Sequence, residues 1–210
     1  MTEKTLSGPS ELILVTAFEP FGGDSMNPSE RVLARLPDII GGFGIARRLL
    51  PVEFVRAVKL ATEEYDRLSP AAVVMIGQAG GRESITPETT GKNVMFGRIP
   101  DNAGFAPDHI PVSQSGPDTL VTSFPIGKIV DALSGLGIPC RRSDDAGEYV
   151  CNAVYYGMLE HVGGRVPAVF IHIPYIPEQG HADRPSLPED IILCGIEAAI
   201  ATVAGEVKGQ

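Results

Sequence analysis

The sequence predicts an α/β fold, a three-layer α/β/α sandwich in a single domain with a mostly parallel, twisted central sheet. Short apolar runs of strand length alternate with segments that repeat apolar residues at helical spacing, which is the pattern of a layered α/β domain. Several runs are apolar throughout, as strands covered on both faces are. One core can serve a chain of 210 residues, so we expect one domain over residues 1–210, with a flexible tail at 1–10.

The first half of the chain supplies the apolar runs that predict buried strands, at 11–17 and 71–76. Asn27 and Pro28 offer a cap and a first-turn proline for a helix. The elements predicted in this half are strand 11–17, helix 28–36, strand 47–52, helix 53–68 and strand 71–76.

Glycines mark the element ends in the second half. Gly137 and Gly163 are expected to end two helices, and Ser186 to cap the last one. Glycine, proline, Asn and Asp crowd residues 97–118, and a loop of that length is usually functional, so we interpret it as an insertion over a site. The elements predicted in this half are helix 125–136, strand 138–142, helix 148–161, strand 166–173 and helix 186–203.

Charge and hydropathy exclude several classes of partner. The formal net charge is −9 and no cluster of Lys and Arg exceeds a pair, so we expect neither nucleic acid nor an anionic membrane as a partner. No apolar run approaches membrane-spanning length, and the N-terminal residues lack the pattern of a signal peptide. We therefore expect a cytoplasmic protein.

The chain has three cysteines, Cys140, Cys151 and Cys194, at wide spacings. An odd number without a Cys-x-x-Cys pair predicts neither a disulfide framework nor a metal site, so they are interpreted as reduced thiols. Cys151 follows a turn-forming stretch, 143–147, and precedes a helical pattern. A thiol in the first turn of a helix is placed to become a nucleophile. The alternative, a small buried hydrophobe, suits Cys140 and Cys194 better.

A cysteine nucleophile needs a base and a group that orients the base. His172 ends an apolar strand, where a polar ring needs a partner, whereas His109 and His181 lie in loops and His161 ends a helix. The orienting carboxylate is Glu83 or Glu88, and Glu88 is preferred because the preceding proline fixes its approach. In parallel sheets sites gather at the carboxyl ends of strands, so three segments are expected to form one mouth: 18–27, 77–88 and the residues from 172 onward.

Five ordered motifs carry a resemblance to a known family. They are Phe18-Glu-Pro-Phe-Gly-Gly23, Gly77-Gln-Ala-Gly-Gly-Arg82, Ile85-Thr-Pro-Glu88, Ala146-Gly-Glu-Tyr-Val-Cys-Asn152 and Phe170-Ile-His-Ile-Pro-Tyr-Ile-Pro-Glu-Gln179. Together they closely resemble the pyroglutamyl peptidase I family, also called pyrrolidone-carboxylate peptidases, over nearly the whole chain from Leu12 to about Ala201. One departure follows Glu88, where this chain has Thr89-Thr-Gly-Lys92 in place of the Arg and small apolar residues usual in the family.

The resemblance implies a peptidase that removes an N-terminal pyroglutamyl residue from peptides, with a Cys-His-Glu triad and neither metal nor cofactor. Carried over by motif, Cys151 is the nucleophile, His172 the general base and then acid, and Glu88 the orienting carboxylate. It also implies a homo-oligomer, often a tetramer. For the substrate pocket it implies that Phe18 and Phe21 line the lactam ring, that Gln78 lies near it and that Arg98 lies beside the site.

Two other functions are compatible with the same fold. A phosphate-handling transferase would use the glycine-rich stretch 77–82 to cradle phosphate at a helix start, although no phosphate-loop lysine accompanies it. A catalytically silent binding protein is the third hypothesis, because fold alone does not fix function.

Overall fold

The computed structural model describes residues 11–209, so the predicted flexible tail at 1–10 lies outside the described residues. The strands are β1 (Leu12–Phe18), β2 (Ile39–Ile40), β3 (Phe43–Leu50), β4 (Ala72–Gln78), β5 (Thr86–Glu88), β6 (Thr90–Lys92), β7 (Thr119–Val121) and β8 (Ala168–Ile173). The helices are α1 (Pro28–Arg35), α2 (Phe54–Leu68), α3 (Gly127–Gly135), α4 (Val150–Val162) and α5 (Glu189–Lys208). A short 3-10 turn lies at Pro177–Gln179.

Six strands form the central sheet, in the order β2-β3-β1-β4-β8-β5. The four inner strands β3, β1, β4 and β8 are mutually parallel, and the short edge strands β2 and β5 pair antiparallel to their neighbours. β6 and β7 form a separate antiparallel pair. The prediction of a mostly parallel sheet is confirmed.

Helices cover both faces of this sheet. Successive side chains of a strand point to opposite faces, and here the side chains on both faces are apolar. Ile13 and Val15 of β1 pack in a cluster with apolar residues of α1, α3 and α5. Leu14, between them, packs in a second cluster with residues of α2 and α4. The two clusters are the interiors of the three-layer sandwich that the sequence predicted.

The cap of α1 is as predicted. Asn27 accepts a hydrogen bond from the Ser29 backbone N–H at 3.0 Å, and Pro28 begins the helix. The start of α5 differs, since Pro188 precedes its first residue and Ser186 does not cap it; the helix runs to Lys208 rather than to residue 203. Pro188 supplies no side-chain cap, and Glu189 and Asp190 place negative charge in the first turn.

Several short elements were missed or misplaced from the sequence. The predicted strand 138–142 is not a strand. Only two isolated bridges form here: Cys140 pairs with Ile85, just before β5, and Ser143, just after the predicted strand, pairs with Glu88. β2, β5, β6 and β7 were not predicted, because strands of two or three residues carry no periodic pattern. The segment 97–118 contains no helix or strand, as expected.

Cys140 and Cys194 differ in their surroundings. Cys140 is half-buried against the α1, α3 and α5 core, and burial raises the pKa of its thiol to about 11. Cys194 was expected on a buried helix face, and this is wrong, because it lies on the exposed side of α5. The buried positions of α5 recur at residues such as Ile192, Ile196 and Ala199, which leaves position 194 facing outward.

A buried carboxylate joins the first turn of α5 to α1. Glu189 is 7% exposed and contacts Arg31 at 2.5 Å and Arg35 at 2.7 Å. We expect Glu189→Gln to lower the free energy of unfolding by about 1–3 kcal/mol, because a buried side chain loses its ion pairs with Arg31 and Arg35. Urea denaturation measures the change. Glu63→Gln, on an exposed face beside Lys59, is the matched control and should change it by less than about 0.5 kcal/mol. Equal effects of the two substitutions would contradict the structural role of Glu189.

Candidate active site

The three segments expected to form one mouth do meet at one edge of the sheet. Phe18 ends β1 and Gln78 ends β4, while His172 in β8 pairs with Gly77 on one side and with Thr86 of β5 on the other. The carboxyl ends of parallel strands share one edge of a sheet, so this convergence follows from the strand order. The site is therefore built on the least deformable part of the fold.

Cys151 is the second residue of α4 and its side chain lies against the backbone of Gly77. A Cβ atom at position 77 would stand 2.9 Å from Cys151 Sγ and 2.8 Å from the Phe170 ring, closer than real Cβ contacts come. Only glycine lets the thiol approach β4 in this way. Cys151 and His172 thus both lie beside Gly77, one across the sheet face and the other along the sheet.

Glu88 and His172 form a buried hydrogen-bonded pair. Glu88 Oε1 lies 2.8 Å from His172 Nδ1, and the two residues are 0% and 3% exposed. Tyr155 donates its hydroxyl to the Glu88 carbonyl at 2.8 Å, and Thr86 Oγ1 lies 3.4 Å from the His172 carbonyl. The carboxylate engages Nδ1, so Nε2 is the imidazole nitrogen left for chemistry. Of the two carboxylates considered from the sequence, Glu88 is the one beside His172, whereas Glu83 is exposed.

Arg82, which the sequence did not single out as a site residue, holds the same carboxylate. Its guanidinium donates to Glu88 Oε1 at 2.6 Å, to Thr86 Oγ1 and to the Asp145 carbonyl at 2.8 Å. Asp145 lies in the segment that leads into α4 and Cys151. Arg82 therefore links this segment to the Glu88 carboxylate. The arginine is therefore engaged within the site, and the glycine-rich residues 77–82 offer no free cation of their own for the phosphate-binding alternative.

The electrostatic setting favours neutral forms of the thiol and the imidazole. Burial raises the pKa of Cys151 to about 12, with the Glu88 carboxylate adding to the rise and Arg82 opposing it. Burial also lowers the pKa of His172, and this outweighs the opposite effect of the hydrogen bond with Glu88. A thiolate stabilised by the helix start was expected from the sequence. The desolvated setting instead favours a thiol that loses its proton only when it reacts.

A small, narrow pocket lies beside Cys151. Three of the four residues expected to surround a substrate ring, Phe18, Phe21 and Gln78, line it together with the thiol. The sequence did not anticipate the remaining lining residues, which are Asn27, Val52, Tyr149 and Val150. Phe21 and Tyr149 face each other with ring centroids 6.0 Å apart, so aromatic surface dominates one wall.

A larger, open cavity shares Phe21 and Tyr149 with this pocket. Arg98 lines the larger cavity and not the small pocket. Unlike Phe18, Phe21 and Gln78, it does not share a pocket with Cys151. Ile99 lines the same cavity, so the start of the 97–118 segment does contribute to the mouth.

The other histidines lie apart from this group. His161 pairs with Asp66 at 2.7 Å, His109 stacks on Phe96 with centroids 4.3 Å apart, and His181 lies 3.3 Å from Asp24. Within residues 11–209, no group of three or more His, Cys, Asp and Glu side chains could hold a metal ion. No helix in the same described range is long and apolar enough to cross a membrane.

The departure at Thr89–Lys92 is anchored to the helix that carries Cys151. Asn152 accepts from the Lys92 backbone N–H at 2.8 Å and donates to the carbonyls of Lys92 at 2.9 Å and Val94 at 2.8 Å. Gly91 allows this, because a Cβ there would lie 3.0 Å from the Tyr156 backbone. The residues that follow Glu88 are thus fixed to the start of α4.

A thiol, an imidazole and a carboxylate at the edge of a parallel α/β sheet are the functional groups that a cysteine-type hydrolase uses. A family model described as pyroglutamyl peptidase matches residues 11–206. The chain is 42% identical over 195 residues to the pyrrolidone-carboxylate peptidase of Escherichia fergusonii, covering 90% of this chain and 91% of that protein, and the Yersinia pestis (strain Pestoides F) protein of the same name gives the same values.

Solved structures agree with these relatives. The crystal structure of pyroglutamyl peptidase I from Bacillus amyloliquefaciens superposes with a TM-score of 0.89 at 37% identity, covering 92% of this chain and 95% of that one. A mutant pyrrolidone carboxyl peptidase from Pyrococcus furiosus gives 0.88 at 35% identity, covering 92% and 98%. This chain belongs to the pyroglutamyl peptidase family.

The Asn152 anchor can be tested by stability. Asn152 is fully buried, and Asn152→Ala removes its hydrogen bonds to the Lys92 N–H and to the Lys92 and Val94 carbonyls, so we expect the free energy of unfolding to fall by about 2–4 kcal/mol. Asn102→Ala is the matched control, because Asn102 is exposed and makes one side-chain hydrogen bond, to the Pro20 carbonyl. Denaturant unfolding of both variants measures the difference, and an Asn152→Ala loss no larger than that of Asn102→Ala would refute the anchor.

Proposed function

We propose that this protein is an omega peptidase that hydrolyses the bond after an N-terminal pyroglutamyl residue, with Cys151, His172 and Glu88 as its catalytic residues. The observation that carries the proposal is the small aromatic pocket beside Cys151, together with the buried His172–Glu88 pair. The names of its relatives, pyrrolidone-carboxylate peptidase and pyroglutamyl peptidase I, state the same substrate group for those proteins.

The pocket suits a lactam ring. A pyroglutamyl group is flat and uncharged, with two apolar faces, so the rings of Phe18 and Phe21 can cover its faces, with Gln78 beside them. An ordinary peptide begins with a charged amine, which would lose its hydration in this pocket without gaining a partner. Selection for a capped N-terminus follows from the chemistry of the pocket.

The first half of the reaction forms a thioester. As Cys151 Sγ attacks the pyroglutamyl carbonyl carbon, its proton passes to His172 Nε2, and the Glu88 carboxylate stabilises the imidazolium through Nδ1. Backbone N–H groups at the start of α4 are placed to hold the oxyanion. The tetrahedral intermediate then collapses, and His172 returns the proton to the departing amine of the shortened peptide.

The second half releases the ring. A water molecule gives a proton to His172 as it attacks the thioester carbonyl, and the thiolate leaves and recovers that proton. The products are free pyroglutamate and a peptide shorter by one residue. Because each half begins from a neutral thiol or water, a neutral imidazole is required at both attacks.

The larger cavity is the proposed binding site of the leaving peptide. It adjoins the lactam pocket through Phe21 and Tyr149, and its charged walls include Arg98 and the pair of Lys92 with Asp145 at 2.9 Å. A peptide backbone carries no net charge, so mixed charges and apolar side chains such as Phe96 fit a site that accepts many sequences. Arg98 is placed here to contact the peptide rather than the ring.

The proposal extends to the setting of the enzyme. We place it in the cytoplasm, without metal or cofactor, as a homo-oligomer that the family resemblance makes a tetramer. Three free cysteines suit a reducing compartment. Exposed apolar side chains, among them Val55 and Val121, each 66% exposed, offer surface for contacts between copies.

The nucleophile is tested by two cysteine substitutions. We expect the wild type to release dye from a pyroglutamyl-linked coumarin amide. Cys151→Ser should lose at least about a thousandfold in kcat/KM, because a serine hydroxyl is a weaker acid than a thiol and gives up its proton to the imidazole less readily. Cys194→Ser, on the exposed face of α5, should retain full activity. Undiminished turnover by Cys151→Ser would reject Cys151 as the nucleophile, and a wild type that releases no dye would favour the catalytically silent alternative.

The pH profile tests the imidazole and its carboxylate. His172 must be neutral to accept a proton, and burial lowers its pKa from 6.5, so the acid limb of kcat/KM should lie below pH 6.5. Glu88 raises this pKa, so Glu88→Gln should move the limb to still lower pH and reduce kcat by roughly a hundredfold or more. Glu83→Gln, at an exposed carboxylate, is the control and should leave the profile in place. A limb that moves with Glu83→Gln and not with Glu88→Gln would assign the orienting role to Glu83.

A further inference from the structure

Two donors share one oxygen of the buried carboxylate. His172 Nδ1 lies 2.8 Å from Glu88 Oε1, and Arg82 Nη1 lies 2.6 Å from the same atom. The other oxygen, Glu88 Oε2, is buried and accepts no hydrogen bond within residues 11–209. A carboxylate oxygen that already contacts a cation attracts a second positive group less strongly. The attraction of Glu88 for a protonated His172 is therefore set in part by Arg82.

Arg82 reaches this oxygen from a loop outside the substrate site. Its side chain is 20% exposed, against 0% for Glu88. One guanidinium nitrogen serves Glu88 and Thr86 Oγ1, and another donates to the Asp145 carbonyl at 2.8 Å. Arg82 lines neither the small pocket beside Cys151 nor the larger cavity. It therefore acts on the reaction through the groups that it holds.

We propose that Arg82 is a positioning residue of the triad, which holds the Glu88 carboxylate toward His172 and balances part of its charge. The inference rests on the proposed function, in which His172 takes a proton from the thiol and then returns it to the departing amine. A carboxylate alone at Nδ1 would orient the ring, but it would also stabilise the imidazolium and oppose the return of the proton. With Arg82 on the same oxygen, Glu88 orients the ring and holds the proton less strongly.

The other titratable groups beside this pair keep one charge state near pH 6. Burial raises the pKa of Cys151 to about 12 and raises that of Tyr155 as well, so both stay neutral. Asp145 stays ionised, because its hydrogen bond with Lys92 lowers the pKa of the carboxyl and raises that of the amine. A protonation change in this pH range therefore belongs to the pair itself.

Arg82→Met tests the charge, because it keeps an unbranched stem and removes the guanidinium. Burial lowers the pKa of His172 and Arg82 lowers it further, so the loss of Arg82 should move the acid limb of kcat/KM up by about one pH unit. This shift is opposite in sign to the one expected of Glu88→Gln. On the plateau kcat should fall, because the carboxylate is held less firmly, whereas KM for the pyroglutamyl coumarin amide should stay near its wild-type value.

Arg82→Lys keeps the charge but cannot bond Glu88 and the Asp145 carbonyl at once. Its acid limb should stay near the wild-type position, and kcat should fall less than in Arg82→Met. Arg141→Met is the matched control, because Arg141 is an exposed arginine in the outer cavity that Arg82 also lines, and neither the limb nor kcat should change. Arg82→Gln also removes the charge and keeps the test open if Arg82→Met does not fold.

The outcomes separate this inference from the proposed function. A wild type that leaves the pyroglutamyl amide intact would reject the proposed function, and NMR titration of the His172 ring in wild type and Arg82→Met then measures the same rise in pKa without turnover. A limb or a ring titration that stays in place in the neutral variants, or moves to lower pH, would overturn the inference, because Arg82 would then only support its loop. An equal upward shift in Arg82→Lys would also overturn it, since charge would not be the cause.

Discussion

The buried carboxylate of Glu88 is the group around which the site is organised. It is 0% exposed, and a carboxylate removed from water is costly unless charged or polar partners replace the solvent. His172 and Arg82 both reach the same oxygen, and Tyr155 fixes the backbone carbonyl of the residue. These partners come from β8, from the glycine-rich loop and from α4. To hold this one residue, the fold has to bring three separate segments together.

The same arrangement explains why a desolvated thiol and imidazole can serve in catalysis. Burial holds Cys151 and His172 in neutral forms, so the resting site carries little charge beyond the Glu88–Arg82 pair. In the proposed reaction, charge develops on the imidazole only as the proton arrives from the thiol, and the carboxylate at Nδ1 is already in place to stabilise it. Fixed partners of this kind need no reorganisation during the reaction. Water molecules would have to reorient around the new charge, so a preorganised site lowers the barrier relative to water.

The sequence predicted the parts of this fold that have strong local patterns. β1, β4 and β8 are mostly apolar, and the strand order then brings Phe18, Gln78 and His172 to one edge. The sequence missed β5, whose three residues form a strand only because β8 lies beside them. Cys194 was misplaced because α5 has apolar residues on more than one side, so its pattern did not reveal the exposed face. Arg82 was recognised as part of a motif, but which atoms it holds depends on residues distant in the chain.

The Asn152 anchor has a consequence for how the family can diversify. It ties the residues from Glu88 to Lys92 to the helix start that carries Cys151, so the proposed nucleophile and the proposed orienting carboxylate are held in one frame. The larger cavity, in contrast, takes much of its lining from segments without helix or strand, such as that of Arg98 and Ile99. Sequence drift in those segments can alter the fit of the departing chain while the reacting groups keep their spacing. Selectivity for the leaving peptide is thereby free to evolve separately from the chemistry.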